Sequence, residues 1–365
     1  MHLLDINTLS ATAKTVGGID TLYFFYETNA DYINLFLDIL DQIEDGKAHF
    51  SKKDIPYKNN DIAVEINGFK FYYGGFKDYF YWLNSIDNLF TFGFKSPDTV
   101  RQLNDIQVQI NGIGNYSIGL SAVLALADNV VKGFITGLRP ITRIDLNVFV
   151  QADFSWVNTD MFIARQLKRE TIIKEIALSR RNETIYIGSN PFMFRMYDKL
   201  TELKKSKKKE IMNEYFFNNG LSLNEPITNI EFEIHRAYLK RFNIKTVDDA
   251  LANAETLFKQ SMDAIRLVDL NTVTDKELSS DNRYRAKTLP IWEHIKDSYT
   301  IKEFLQLNLP LERMKRKLYV YTGDDAIKEY MAFEHKCHLN GIRLDYWFFE
   351  EAKRRKTFKE NELAS

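Results

Sequence analysis

The sequence is poor in the residues that cross-link or stiffen a chain. Its single cysteine, Cys337, excludes an intramolecular disulfide and any cysteine-rich zinc module, which fits a reducing compartment. The six histidines include no adjacent pair, so the usual histidine clamp for a metal is absent. Seven prolines and 16 glycines in 365 residues exclude collagen-like and low-complexity chains. Neither sign of charge dominates: 49 Lys and Arg against 50 Asp and Glu leave a formal net charge of −1, which excludes a uniformly basic coat but not local patches. The best apolar run, SIGLSAVLALADNVV from Ser117 to Val131, falls short of the roughly 20 residues that cross a bilayer. The N-terminus has neither a basic start nor an apolar core of a signal peptide, so the expected location is the cytoplasm, with no membrane partner. No GxxxxGK segment implies an ATP motor.

Aromatic residues are abundant. Their 27 Phe and 19 Tyr suit either a β-rich core or surfaces that stack on bases. The length suggests two unequal domains, since single cores stop growing near about 250–300 residues. In the first half, Tyr32, Leu35, Phe36, Ile39 and Leu40 predict a helix within 28–42 after a cap at Asn29. Asn67-Gly68 within DIAVEINGFKFYY predicts a tight hairpin, and YFYWLNSIDNLFTFGF and DIQVQI predict further strands. Gly112 to Gly119 reads as a turn before a helix ending near Val131. Next come a strand in ITRIDLNVFVQ, a helix over about 160–179, strands in ETIYIGSN and FMFRMYDKL, and a last strand in TNIEFEIHRAYLKRF. Beyond residue 245 the period becomes helical, with helices expected in VDDALANAETLFKQSMDAI, TIKEFLQL and DDAIKEYMAFEHKCHLNG. The expected division is therefore 1–244 and a mainly helical 245–365.

Chemistry concentrates on three of the strands. Alternation puts Arg195, Tyr197 and Lys199 on one face of one strand, Glu231, Glu233 and His235 on one face of another, and Asp145 beside Arg143 on a third. Carboxylates holding a divalent cation beside a tyrosine flanked by cations would equip a site for phosphodiester strand transfer. The same residues also suit bland roles: Tyr197 as a sheet tyrosine, Asp145 in a surface ion pair, Glu231 and Glu233 on a solvent face. His335, Cys337 and His338 share a predicted helix but lack a third zinc ligand of the right spacing. Basic runs at Lys204, Lys205, Lys207, Lys208 and Lys209, at Arg313, Lys315, Arg316 and Lys317, and at Lys353 to Lys356 suit either phosphate contacts or solvated surfaces.

TRIDLNV, TIYIGSN, RMYDK and IEFEIHR, in that order, resemble the replication initiation factor family, which includes rolling-circle plasmid initiators and relaxases of integrative elements. The resemblance covers about 61–241. It implies an α+β fold, with an antiparallel-sheet nicking domain distantly related to the histidine-pair endonucleases and a mainly helical C-terminal region. It also implies origin-specific cleavage of single-stranded or extruded DNA in a bacterial cytoplasm, through a 5′-phosphotyrosyl link. By this resemblance Tyr197 would be the nucleophile, Arg195 and Lys199 its cationic partners, and Asp145 with Glu231 or Glu233 the ligands of Mg²⁺ or Mn²⁺. His235 would be a further ligand or a hydrogen-bonding partner. A separate helicase would open the duplex, and a homodimer is compatible with the pattern. The sequence departs from the family in lacking a second serine after Gly188-Ser189, and in carrying Asn229 where many relatives have arginine. A DNA-binding regulator that keeps the fold without cleavage is the alternative. Tyr72, Tyr186 and Tyr238 are the available second tyrosines.

Overall fold

The computed structural model describes residues 13–53, 55–99, 103–164, 173–177, 182–204, 206, 208–278, 281–313, 323–339, 341–345 and 348–351. Lys205, Lys207, Lys315, Arg316, Lys317 and the basic run at 353–356 lie outside them. The chain divides into two compact units, Met1–Arg313 and Met314–Ser365.

The first unit is built on an antiparallel sheet. Its strands are β1 (Thr15–Tyr26), β2 (Ala63–Ile66), β3 (Phe69–Lys77), β4 (Phe80–Ser85), β5 (Phe90–Lys95), β6 (Ile106–Ile110), β7 (Ile141–Val150), β9 (Ile173–Ala177), β10 (Asn182–Ser189), β11 (Phe192–Asp198) and β12 (Thr228–His235). Their spatial order is β2-β3-β4-β5-β6-β1-β7-β12-β11-β10-β9. A smaller sheet joins β8 (Phe162–Ala164), β13 (Ile265–Asp269) and β14 (Lys287–Thr288). The helices are α1 (Tyr32–Lys52), α2 (Gly112–Ile118), α3 (Leu120–Val130), α4 (Lys199–Leu203), α5 (Lys209–Asn218), α6 (Arg236–Leu239), α7 (Val247–Ala252), α8 (Ala254–Ala264), α9 (Asp275–Leu278) and α10 (Pro290–Ser298). In the second unit, α11 spans Gly323–Leu339. Beyond residue 245 the chain is mainly helical, giving an α+β fold. No helix among the described residues is long and apolar enough to cross a membrane.

Alternation explains which face of the sheet is dry. Ile144, Leu146 and Val148 of β7, Phe192, Phe194 and Met196 of β11, and Ile230, Phe232 and Ile234 of β12 join one core. The same core takes Leu35, Phe36, Ile39 and Ile43 from α1, Val123 and Ala127 from α3, Leu257 and Phe258 from α8, and Trp292 and Ile295 from α10. Phe258 stacks on Tyr299 with ring centroids 3.7 Å apart. A second cluster joins Phe149 of β7 to Tyr116 of α2, Leu203 of α4, and Met212 and Phe216 of α5.

The Asn67-Gly68 hairpin forms as expected, with φ of 49° and 80° at its two turn residues. Other expectations are corrected by long-range contacts. The described residues of 160–179 are not helical: Phe162–Ala164 pairs with the distant β13 and Ile173–Ala177 with β10, the next strand in the chain, so strand partners decide the conformation of both segments. The strand expected through TNIEFEIHRAYLKRF ends at His235, after which Arg236–Leu239 is helical. TIKEFLQL forms no helix because its polar groups are spent elsewhere. Glu303 accepts from the backbone N–H groups of Leu120 and Ser121 at the start of α3, and Leu307 N–H donates to Ala252. Conversely, Gly112–Ile118 is a helix rather than a turn; a side chain at Gly114 would stand 2.8 Å from the Leu89 carbonyl oxygen. The first predicted helix begins at Tyr32, after Asn29 Oδ1 accepts from Asp31 N–H, and runs to Lys52.

Phe232 is fully buried on the strand that carries both glutamates, within ring contact of Phe192, Phe194 and Phe258. Phe232→Ala is expected to cost about 3–5 kcal/mol in a urea-unfolding measurement, as expected for an emptied aromatic core position.

Candidate functional site

The dry face of β7, β12 and β11 has a polar reverse. Antiparallel register sets Glu231 beside Asn147 on one side and Arg195 on the other, and Glu233 beside Asp145. Asp145, Glu231 and Glu233 are only 1%, 2% and 9% exposed. Buried carboxylates need partners, and two guanidiniums supply them. Arg143 grips Asp145 as a fork, with Nε 2.7 Å from Oδ1 and Nη2 2.6 Å from Oδ2, and Nη2 is also 2.8 Å from Glu233 Oε2. Arg195 Nη2 donates to Glu231 Oε1 and lies 3.3 Å from Glu233 Oε2 and 3.6 Å from Asp145 Oδ2. His235 Nε2 is 2.6 Å from Glu233 Oε1. Burial pushes the Asp145 carboxyl up to about 6 against the opposing pull of Arg143 and Arg195. It pushes Glu231 up to about 8, aided by the nearby charges of Asp20 and Asp145.

Tyr197 stands at the end of a hydrogen-bond chain across four strands. The Tyr116 hydroxyl donates to Asp20 Oδ1 at 2.9 Å and lies 3.3 Å from Asn147 Oδ1; Asn147 Nδ2 donates to Asn229 Oδ1 at 3.1 Å. Asn229 Nδ2 then donates to the Tyr197 oxygen at 2.9 Å, and Glu231 Oε2 lies 3.4 Å from the same oxygen. Because Asn229 fills the acceptor side of the phenol, its own hydrogen is left to face Glu231. Burial and the charges of Glu231, Asp20 and Glu202 hold the Tyr197 hydroxyl well above its ordinary pKa. Burial alone would raise Asp20 too, but Lys199 and Lys208 hold its carboxyl below the usual range.

Lys199 does not continue the strand. β11 ends at Asp198, whose side chain accepts from Thr201 N–H and so caps α4. The Lys199 ammonium still returns to within 5.5 Å of the Tyr197 ring centroid and pairs with Glu202 at 2.8 Å. Arg195, Tyr197, Tyr186, Thr184, Asp198, Thr201, Glu202 and Ser206 line an open cleft of about 570 Å³. A separate cavity of about 410 Å³, lined in part by Gly17, Gly18, Tyr116, Tyr215 and Glu303, contains none of the candidate catalytic residues.

The structure thus gathers Asp145, Arg195, Tyr197, Lys199, Glu231, Glu233 and His235 on one face. Of the predicted DNA-contacting residues, Lys204 follows α4, Lys208 precedes α5 and Lys209 opens it. Arg313 instead hydrogen-bonds Tyr238. Among the second tyrosines, Tyr186 shares the cleft, whereas Tyr72 sits on β3 and Tyr238 stacks on Phe192. Asp20, Tyr116 and Asn147 were not singled out from sequence. Asn147 was legible from its two-residue spacing to Asp145; nothing near Asp20 or Tyr116 marked them.

Three carboxylates suit a hard divalent ion, which takes oxygen ligands. As folded, however, their oxygens face Arg143 and Arg195, and the described residues contain no group of three or more His, Cys, Asp or Glu side chains that could hold a metal ion. The donor set does not fit an ion with Arg195 in place.

Among solved structures, the chain is similar to the rolling circle replication initiator protein from Geobacillus stearothermophilus, at 14% sequence identity and a TM-score of 0.41, covering 78% of this chain and 96% of that one. No family model matches the chain, and no curated protein matches it.

Arg143→Leu is expected to destabilise the fold by about 3–5 kcal/mol at pH 7, because it leaves Asp145 buried without its fork. Adding Asp145→Leu should recover much of that loss in the same denaturant titration. Equal stability of Arg143→Leu and wild type would show that the pair does not hold the cluster.

Proposed function

We propose that the protein cleaves and rejoins single-stranded DNA, with the Tyr197 hydroxyl as nucleophile, in the manner of the initiators and relaxases that its sequence resembles. The observation that carries this reading is the placement of the Tyr197 oxygen, held by Asn229 Nδ2 at 2.9 Å and facing Glu231 Oε2 at 3.4 Å, in an open cleft that also takes Arg195. The phenol is a weak acid here, so the reaction needs a base. Glu231, raised to about 8, is matched to that work near neutral pH. Catalytic hydrogen bonds of this length commonly shorten in the reacting complex.

In the proposed step the Tyr197 oxygen forms a bond to phosphorus and the bond from phosphorus to the 3′ oxygen breaks. Glu231 takes the phenolic proton, and the departing 3′ oxygen takes a proton from solvent. Arg195 and Lys199 offset the charge that builds on the phosphate oxygens. The products are a 5′-phosphotyrosyl link and a free 3′ hydroxyl, which would prime replication or begin transfer of a mobile element. The kinship with histidine-pair endonucleases, an origin sequence as target and a separate helicase belong to this proposal.

The second reading, a DNA-binding regulator without cleavage, is favoured by one observation: the Tyr197 hydroxyl is held well above its ordinary pKa. Incubation with a library of single-stranded, origin-like oligonucleotides that includes the cognate origin separates the two. A protein-linked fragment should appear on a denaturing gel with wild type and with Tyr186→Phe, and vanish with Tyr197→Phe. DNA binding with no adduct would favour the regulator.

Glu231 must be ionised to accept the proton. Cleavage should therefore rise about tenfold per pH unit below about 8 and level off above it, as a raised carboxyl pKa requires. Glu231→Gln should slow cleavage about 10²–10⁴-fold and remove this pH dependence.

A further inference from the structure

Arg195 stands where a small cation would stand. Its Nη2 alone contacts Glu231 and lies 3.3 Å from Glu233 and 3.6 Å from Asp145. The rest of the guanidinium is poorly served, since Nε is buried with no hydrogen-bond partner. Arg143 shows the contrast: it presents Nε and Nη2 to a single carboxylate as a matched fork. Arg195 has given up that arrangement to bring one nitrogen's positive charge among three carboxylates.

Charge counting points the same way. With all three carboxylates ionised, as a bound cation would require, they and the two guanidiniums leave one negative charge. A divalent ion added with Arg195 in place would turn that excess to one positive charge in a nearly dry site, where uncompensated charge is costly. With Arg195 withdrawn, three carboxylates and Arg143 leave two negative charges, which one divalent ion balances.

We infer that the Arg195 guanidinium and a divalent cation compete for the same carboxylate oxygens, those of Glu231, Glu233 and Asp145. This deepens the strand-cleaving reading and rests on it for its purpose, since Arg195 also lines the Tyr197 cleft, where an entering phosphate offers the guanidinium another anion. Phosphate binding and metal uptake are then linked, each easing the other. The competition itself needs no DNA.

The test is Mn²⁺ binding to the 365-residue chain without DNA, followed by electron paramagnetic resonance. Wild type and Arg195→Lys should lack a tight site. Arg195→Gln should bind one Mn²⁺ at least tenfold more tightly, and Asp145→Asn added to it should abolish that site. Equal affinity in wild type and Arg195→Gln overturns the inference. Should Arg195→Gln fail to fold, Arg195→Met is read in its place: saturable Mn²⁺ binding that Asp145→Asn removes upholds the inference, and no saturable binding overturns it. Because cleavage is not read, failure here is distinct from failure of the nicking proposal, which the covalent adduct tests.

Discussion

The pairing of β11, β12 and β7 depends on neutralising the carboxylates that it buries. Each ion withdrawn from water costs several kcal/mol after relaxation, and Asp145, Glu231 and Glu233 all lie within the sheet's interior. Arg143 and Arg195 meet that cost from the flanking strands. Without them the strand carrying Phe232 and Ile234 would gain apolar contacts on one face and lose them to unpaired charge on the other. The core and the polar site are therefore two sides of one requirement.

The same register sets the reactivity of the tyrosine. Asn147 donates to Asn229 and Asn229 to Tyr197, and both amides are neutral, so the phenol is oriented without adding to the charge. An arginine at Asn229, as the resembled family often has, would bring a third guanidinium close to Glu231. Here the amide orients the phenol instead, and Glu231 stays the group that its hydrogen faces. Beyond the network, α4 and α5 bring Lys199 and Lys208 close enough to hold Asp20 ionised. A carboxylate on β1 is thereby joined to a tyrosine three strands away.

How much of this was legible followed the range of the forces involved. The two-residue period of TRIDLNV, FRMYD and NIEFEIH settled which side chains face the core and which share the polar face, because that depends on local backbone geometry. The Arg143–Asp145 pair is legible from its two-residue spacing, but the contacts of Arg195 with Glu231, Glu233 and Asp145 and of Arg143 with Glu233 are not, because they cross between strands that lie far apart in the sequence. Phe162–Ala164 read as the start of a helix for the same reason: its partner is β13, about 100 residues on. Lys199 was placed on the right side of the sheet on mistaken grounds, since it opens a helix yet turns its ammonium back to Tyr197. Asp20 had no local signal at all.

The central claim is that one tyrosine, positioned by Asn229 and facing Glu231, makes the bond to DNA. Protease digestion of the protein–oligonucleotide adduct, followed by tandem mass spectrometry of the nucleotide-bearing peptide, reads that bond directly. The account predicts a phosphonucleotide mass on Tyr197. A mass on Tyr186, in the same cleft, or on any other residue would contradict it.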